Sequence, residues 1–367
     1  MISLSKKYIS KFLLAIALVI LSSCFGKAIS TTANSPQPEV TAVRSPQTSE
    51  LNAQKPNTSS QETQKFAPPI GCTLGKDCYI FHYVDRDPSP AAVDFGCGRQ
   101  TYDAHDGTDF GIPDEKAMAK GVPVKAAAAG KVLRVRDGVQ DRRVQDQTTK
   151  DQVKSIECGN GMVIDHGNGW ETQYCHLRQG SVAVKPGNQV EKGTVLGMVG
   201  ESGLASFPHV HLTIRYQGKT VDPFVGPSTQ SGCQVAKNPL WDRPLDYVPT
   251  GLIRAGFSTQ VPEMNDVWQG KFAETTLAVN SPAILFWVQA FGVLQGDREY
   301  YKLLAPNGQV IGENTNEIKS SNRAWISYVG KKNRGNSTLT PGIWRAEYQL
   351  KRGDKVLIDL KRQVELR

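Results

Sequence analysis

The sequence predicts an all-β protein. Short runs of β-branched and aromatic residues are separated by turn signals such as Gly167-Asn168-Gly169 and Pro186-Gly187-Asn188, and this combination is typical of strands joined by tight turns. Between residues 70 and 226, no long stretch repeats its apolar residues with the 3.6-residue period of a surface helix. Two groups of such strands, before and after a proline-rich segment at residues 236–250, predict two β domains in succession.

The first 23 residues have the pattern of a secretory signal peptide. Three lysines precede an apolar run at residues 12–21, which is too short to span a bilayer comfortably. The tetrapeptide Leu21-Ser22-Ser23-Cys24 resembles the bacterial lipobox, so Cys24 is predicted to be lipidated, with plain secretion as the alternative. A multiply acylated cysteine anchors a protein firmly in a membrane. Because Phe25 rather than aspartate follows, the protein is predicted to be an outer-membrane lipoprotein facing the periplasm.

Residues 24–66 are predicted to be a flexible tether. They are rich in Ser, Thr, Pro, Gln and Asn and have few large apolar side chains, so they cannot bury enough surface to offset the entropy of ordering. A flexible chain of this length typically reaches about 35 Å. The tether would let an anchored protein search the nearby envelope.

The net charge of +8 includes three lysines of the signal segment. The remaining modest basicity suits an anionic envelope polymer. No arginine-rich stripe is present in the sequence, and nucleic acid is therefore not expected as a partner.

Six cysteines follow Cys24, all of them before residue 234. An even number in an exported chain predicts a disulfide framework. Cys72 and Cys78 are close enough in sequence to close a small loop, while the connectivity of the others stays open. A thiolate zinc site is the alternative, although the sequence contains no CxxC spacing.

Residues 67–235 are predicted to form the first β domain. A polar segment, Arg136–Glu157, interrupts it with five basic and five acidic side chains. We interpret this segment as a solvated excursion, with a mobile flap as the alternative. The expected strands are Val122–Arg136, Met162–Asp165, Trp170–Leu177, Val195–Val199 and Val210–Tyr216.

After the linker at 236–250, residues 251–367 are predicted to form a small β-sandwich like that of immunoglobulin domains. Apolar Trp344, Ala346, Tyr348 and Leu350 alternate with polar residues, as in a strand with one face in water. Because this domain has no histidine or cysteine, it is expected to bind or position, with an envelope protein as a possible partner. The expected strands are Phe272–Val279, Ala283–Phe291, Tyr300–Leu304, Gln309–Gly312, Ala324–Val329, Gly342–Leu350 and Lys355–Glu365.

Two short groups of residues in the first domain predict a metal site. His209 and His211 lie two apart in a run with apolar residues between them, so a strand would project both imidazoles from one face. His105 and Asp109 are four apart, but the glycines around them favour a loop that leads into a strand. Two imidazole nitrogens and one carboxylate oxygen make a plausible first shell for one zinc ion. The fourth position would stay open for water, which distinguishes catalytic zinc sites from structural ones.

Three runs of the sequence, HDGTD, ETQYCHL and HVH, occur in an order that resembles the lysostaphin-type zinc metallopeptidases. Members of this family are peptidoglycan endopeptidases with a duplicated-hybrid-motif fold, also called a barrel-sandwich hybrid. The resemblance covers residues 96–224. It implies a hydrolase with peptidoglycan as partner and one zinc ion as cofactor, in which zinc-bound water attacks the scissile carbonyl of a peptide stem or cross-link.

The resemblance also implies roles for five side chains. His105, Asp109 and His211 would be the zinc ligands, His209 the general base, and His176 the group that supports the developing oxyanion. Neutral imidazole can take a proton from an activated water, and a second imidazole can donate to an oxyanion. After the last histidine, HVHLTI replaces the more usual aromatic and acidic residues of the family, at positions that are not ligands.

Other residues near these runs receive simpler interpretations. The pair Phe207-Pro208 is expected to shape the substrate groove. His166 fits a hairpin turn, and His82 has no partner nearby in sequence, so both are interpreted as structural.

Two other functions are compatible with this fold. One is a non-catalytic wall-binding scaffold or amidase activator, but such degenerate relatives lose ligand positions, and all of them are present here. The other is a biotinyl or lipoyl carrier, because residues 184–203 have glycine-punctuated hairpins. The candidate Lys192-Gly193 lacks the flanking methionines that a carrier lysine needs.

Overall fold

A computed structural model describes residues 64–228, 230–333 and 338–367 of the chain. The predicted signal peptide, Cys24 and the tether up to residue 63 lie outside the described residues. The helices are α1 (Glu115–Lys120), α2 (Gln147–Asp151) and α3 (Met264–Trp268). The strands are β1 (Tyr79–His82), β2 (Thr108–Gly111), β3 (Pro123–Lys125), β4 (Gly130–Arg136), β5 (Asn160–Gly167), β6 (Trp170–Leu177), β7 (Gln189–Val190), β8 (Val195–Met198), β9 (His209–Tyr216), β10 (Lys219–Val221), β11 (Gly251–Ser258), β12 (Thr276–Leu277), β13 (Ala283–Val293), β14 (Arg298–Leu304), β15 (Val310–Glu317), β16 (Asn322–Lys332), β17 (Gly342–Arg352) and β18 (Lys355–Leu366).

The first ten strands form one large and one small antiparallel sheet. The large sheet has the order β1-β2-β9-β6-β5-β4-β7, with β10 paired to the end of β9 beyond β2, and β3 pairs with β8 in the small sheet. On β9, Val210, Leu212 and Ile214 are at most 1% exposed and lie in the core with Phe110 and Tyr174. The alternating residues of β9, which include both histidines, therefore project away from this core.

The last eight strands form two further sheets around a second core. The orders are β11-β13-β16 and β12-β18-β17-β14-β15, and both sheets contribute to one cluster of buried residues. On β17, Trp344, Ala346, Tyr348 and Leu350 are all buried, whereas the residues between them are partly or fully exposed. The predicted all-β class is therefore confirmed, while the predicted domain limits stay a prediction.

The structure differs from the expected strands in several places. The run Val122–Arg136 divides into β3 and β4, which belong to different sheets, because Ala126, Ala127 and Ala128 are buried in the core between them. The run Phe272–Val279 shortens to β12. Strand β1 was not expected from the sequence. All four of its residues are buried, so it lacks the alternation of apolar and polar residues that marks a strand with one face in water.

The polar segment at residues 136–157 is mostly exposed, with Arg143 and Val153 buried. Asp146 begins α2 with a capping box that includes Thr149. Arg143 is only 5% exposed and donates from Nε to Oε1 of Glu115 over 2.6 Å. The interpretation of this segment as a solvated excursion therefore fits most of its residues, which are exposed, and is wrong for Arg143.

All six cysteines in the described part of the chain form disulfides. The pairs are Cys72–Cys78, Cys97–Cys233 and Cys158–Cys175. The first pair is the expected small loop, and the thiolate zinc alternative is excluded because these sulfurs are bonded to one another. Within residues 64–228, 230–333 and 338–367, no helix has the length and apolar character that crossing a membrane requires.

Candidate metal centre and active site

Three neighbouring strands bring the predicted site residues together. Asp109 on β2 is directly opposite His211 on β9, and His211 is in turn opposite Cys175 on β6. His176 follows Cys175, and His105 lies in the loop before β2. Residues that are distant in sequence therefore meet at the centre of the large sheet.

His105, Asp109 and His211 form a group whose ligand atoms all lie within 4.8 Å of one another. Asp109 Oδ1 is 3.2 Å from His105 Nε2 and 2.9 Å from His211 Nδ1, and these two nitrogens are 3.2 Å apart. Ligands around a tetrahedral zinc ion with bonds of about 2.0 Å are separated by roughly 3.3 Å. The group could hold a metal ion without rearrangement.

The outer hydrogen bonds of the two imidazoles show which nitrogens face the centre. His105 donates from Nδ1 to the carbonyl of Tyr83 over 2.6 Å, so its neutral form has a lone pair on Nε2. Nε2 of His211 lies 3.2 Å from the carboxylate of Asp106, which can only accept a hydrogen bond. The proton of the neutral His211 ring is therefore on Nε2, and the lone pair is on Nδ1. When both rings are neutral, three acceptor atoms therefore converge, and a cation fits this arrangement.

The charges around His211 link metal binding to proton release. Burial alone lowers the pKa of His211, but hydrogen bonds to Asp106 and Asp109 outweigh it and raise this pKa to about 9 in the metal-free protein. Burial raises the pKa of Asp109, yet the charges of His105 and His209 keep it well below its ordinary value. A metal ion that binds at neutral pH must displace the proton held between His211 and Asp109.

His82 holds the second oxygen of Asp109. Its Nδ1 lies 2.8 Å from Asp109 Oδ2, while Oδ1 faces the other two ligands. Burial lowers the pKa of His82 to about 4, so the ring is neutral at pH 7 and donates its Nδ1 proton to the carboxylate. His82 has no partner nearby in sequence, but β1 pairs with β2 and places it beside Asp109.

His209 and His176 lie beside the three-residue group, and both are buried. His209 Nδ1 donates to the carbonyl of Phe207 over 2.8 Å, and His176 Nδ1 donates to the carbonyl of Ser202 over 2.8 Å. Burial lowers the pKa of each ring, so both are neutral near pH 7. Each therefore presents an unprotonated Nε2, and that of His209 lies 3.6 Å from Asp109 Oδ1.

His176 adopts an unusual backbone conformation, with φ of +66°. A residue with a side chain rarely adopts this region unless its surroundings impose it. Its N–H donates to the carbonyl of Cys158 over 2.8 Å, and the disulfide Cys158–Cys175 ties the neighbouring residue to the same segment. This local cross-link therefore fixes where the imidazole lies.

Gly107 of the HDGTD run is required by close packing. A Cβ at this position would overlap the imidazole of His211 and lie 2.8 Å from the carbonyl oxygen of Leu212. The loop that supplies His105 and Asp109 can approach β9 only because this residue has no side chain.

The comparisons with known proteins agree with this site. Residues 103–223 match the family model described as Peptidase family M23. The chain carries a peptidase family M23 domain. The predicted resemblance to lysostaphin-type metallopeptidases is thereby confirmed for this part of the chain.

Two curated relatives and one solved structure illustrate the similarity. The chain is 31% identical over 118 residues to Peptidoglycan DD-endopeptidase ShyA of Vibrio cholerae, covering 32% of this chain and 22% of the relative. It is 34% identical over 123 residues to DD-carboxypeptidase/endopeptidase Mpg of Neisseria meningitidis, covering 34% and 23%. The catalytic domain of lysostaphin from Staphylococcus simulans is 22% identical with a TM-score of 0.25, covering 38% of this chain and 85% of that one. The chain thus spans less than a quarter of the length of these two curated relatives.

The structure brings all five predicted site residues of this domain together, between 2% and 8% exposed. Their individual roles stay predictions, and Cys24 lies outside the described residues. No local pattern indicated a role for His82 or for the carbonyl of Tyr83. Asp106 stood in the HDGTD run without an assigned role, and the structure places it against the outer nitrogen of His211.

Proposed function

We propose that the protein is a zinc-dependent endopeptidase that hydrolyses peptide stems or cross-links of peptidoglycan. The observation that supports this proposal best is the convergence of three atoms that can bind a metal ion beside two buried imidazoles that each present a free Nε2. A degenerate scaffold has no need to keep this full arrangement. The relatives named DD-endopeptidases favour the D,D cross-link as the bond that is cut.

In this proposal, His105, Asp109 and His211 hold the zinc ion. When bound, zinc lowers the pKa of water toward 7 and polarises a carbonyl oxygen. His209 accepts the proton of the attacking water at Nε2, which its hydrogen bond to Phe207 leaves free. His176 supports the negative charge that develops on the scissile carbonyl oxygen. Because its Nε2 is unprotonated in the resting protein, it must first take up a proton there in order to donate.

The test compares the wild type with two kinds of variant on purified sacculi. His211→Ala is expected to lose both zinc and the release of muropeptides. His209→Ala is expected to keep zinc and lose release, because His209 is not a ligand in this proposal. Mass spectrometry of the released muropeptides identifies the bond.

Two outcomes would reject the endopeptidase. Equal release by the wild type and His211→Ala would exclude a zinc mechanism. A zinc-loaded wild type that binds sacculi and releases nothing would leave the alternative, a wall-binding scaffold or amidase activator.

We further propose that Cys24 anchors the protein to the outer membrane, with the domains in the periplasm. This proposal depends on the lipobox-like tetrapeptide alone. Membrane fractionation of the wild type and Cys24→Ser tests it. Release of the variant into the soluble periplasm is expected, and an unchanged membrane fraction would contradict the anchor.

A further inference from the structure

The carboxy-terminal sandwich reaches the proposed active site through a shared aromatic cluster. Tyr79, Phe81 and Phe207 from the first part of the chain pack with three residues from the second, Ile253, Trp268 and Phe291. All six are buried. The two cores are therefore joined beside the site rather than at a remote surface.

From this cluster, a row of three stacked rings leads to the site. The rings of Trp268 and Phe207 are 5.5 Å apart with an angle of 28°, and those of Phe207 and His209 are 4.3 Å apart with an angle of 21°. The ring of His176 lies 4.6 Å from that of His209 at an angle of 47°, so this pair is tilted and not stacked. The ring of His209 therefore packs against both Phe207 and His176.

Phe207 controls His209 in two ways at once. Its ring stacks on the imidazole, and its carbonyl accepts the Nδ1 proton that leaves Nε2 free. Phe81 also packs on Phe207, with ring centres 4.5 Å apart. A movement of Phe207 would therefore change both the direction and the tautomer of His209.

Helix α3, which carries Trp268, is held by polar contacts with the first part of the chain. Arg254 on β11 donates to the carbonyl of Val267 over 3.0 Å and pairs with Asp114, the residue that caps α1. Arg143 donates from Nη2 to Oδ1 of Asn265 over 2.6 Å. These contacts prevent α3 from withdrawing from Phe207.

We propose that Trp268 is a positioning residue for the reaction, acting on His209 through Phe207. The sandwich domain is then a part of the catalytic centre and not a separable binding module. The inference rests on the proposed function, because His209 is assigned there as the base. A simple packing role would predict lower stability with unchanged turnover in the folded, zinc-loaded protein.

The experiment uses the full chain with Trp268→Ala, Trp268→Phe and Phe207→Leu. The control is Trp344→Ala, which removes a tryptophan of similar burial from the sandwich core, where its Nε1 donates to Thr340. The substrate is a purified cross-linked muropeptide dimer, and kcat, KM, zinc content and melting temperature are measured for each variant.

For Trp268→Ala we expect kcat to fall by about 10-fold to 100-fold, because small displacements of a catalytic group have effects of this size. KM should stay within about twofold, since substrate contacts are unchanged. Trp268→Phe should retain most of the wild-type kcat. Trp344→Ala should have a lower melting temperature and an unchanged kcat. If Trp268→Ala does not fold, Phe207→Leu gives the decisive comparison, with the same expected loss of kcat.

The proposal is overturned by a folded Trp268→Ala or Phe207→Leu protein with wild-type kcat, or by an equal loss in Trp344→Ala. A second measurement separates this inference from the proposed function. The imidazole Nδ1–H of His209 should give a slowly exchanging proton signal in NMR spectra of the wild type and lose it in Trp268→Ala. If the wild type is inactive but this difference is observed, the positioning holds and the proposed function fails, whereas an unchanged signal overturns the positioning.

Discussion

Replacing His82 by phenylalanine is expected to weaken zinc binding by about 10-fold to 100-fold. The variant keeps an aromatic ring and removes the N–H that lies 2.8 Å from Asp109 Oδ2. Among the residues that the structure describes, this oxygen has no other hydrogen-bond partner. The carboxylate would then be free to turn away from His105 and His211.

The magnitude follows from the kind of hydrogen bond that is lost. Hydrogen bonds to an ionised group contribute about 1.5 to 3 kcal/mol, and both His82 and Asp109 are buried, so water cannot replace the donor readily. Each 1.4 kcal/mol corresponds to a factor of about ten in a binding constant. The loss should therefore be one to two powers of ten.

Competition with a chelating dye measures the zinc dissociation constant for three variants. His82→Asn keeps a side-chain N–H near the position of Nδ1 and should retain most of the affinity. His166→Phe is the matched control, because the hydrogen bonds of the His166 ring are to Ala129 and Thr172 and not to the proposed metal ligands. This variant should bind zinc as tightly as the wild type does. Wild-type affinity in His82→Phe would refute the reasoning, and equal weakening in His82→Asn would assign the effect to packing instead.

Three further predictions concern other parts of the structure. Gly107→Ala should weaken zinc binding by about tenfold or more, because its Cβ would overlap His211, and unchanged affinity in the same assay would contradict this. Burial, with the charge of Glu115, raises the pKa of Glu201 to about 8. In the folded state Glu201 then keeps a proton that the same carboxyl group releases above about pH 4.5 in the unfolded chain. The free energy of unfolding therefore falls as the pH rises toward 8. Glu201→Gln should therefore resist urea better than the wild type at pH 8 and equally at pH 4, and equal midpoints at pH 8 would argue against it. Cys158 and Cys175 are 17 residues apart in the sequence, and replacing both by serine should lower the free energy of unfolding by about 3 kcal/mol. A loss below about 1 kcal/mol would show that this disulfide contributes little to stability.

Much of the proposed site was predictable because its residue types and spacing are local. The alternation in β9 alone indicated that His209 and His211 share a face opposite Val210 and Leu212. The contacts agree, because Val210 and Leu212 lie in the core whereas His211 contacts Asp109 and His209 contacts His176. The glycines around His105 and Asp109 indicated a loop before a strand, which is how Asp109 comes to lie on β2. These inferences needed only the period of a strand and the conformational preferences of glycine.

Other features were out of reach because they depend on contacts between distant segments. His82 is 27 residues from Asp109, and only the pairing of β1 with β2 joins them. Arg143 stands in a segment whose charges suggested solvent, yet it is buried against Glu115. The connectivity of four cysteines was equally open, since nothing local relates Cys97 to Cys233.

The sequence by itself determined the β class, the shared strand face of His209 and His211 and the small Cys72–Cys78 loop, because strand periodicity and short spacing are properties of neighbours along the chain. The roles of the five site residues came from the resemblance to a family and not from local pattern. Tertiary structure alone decided which oxygen of Asp109 faces the ligands, which nitrogen each histidine presents, and that Trp268 of the sandwich stacks toward His209. Those features are set by the packing of surfaces that the chain brings together only on folding, and no local pattern encodes the partner on the other side.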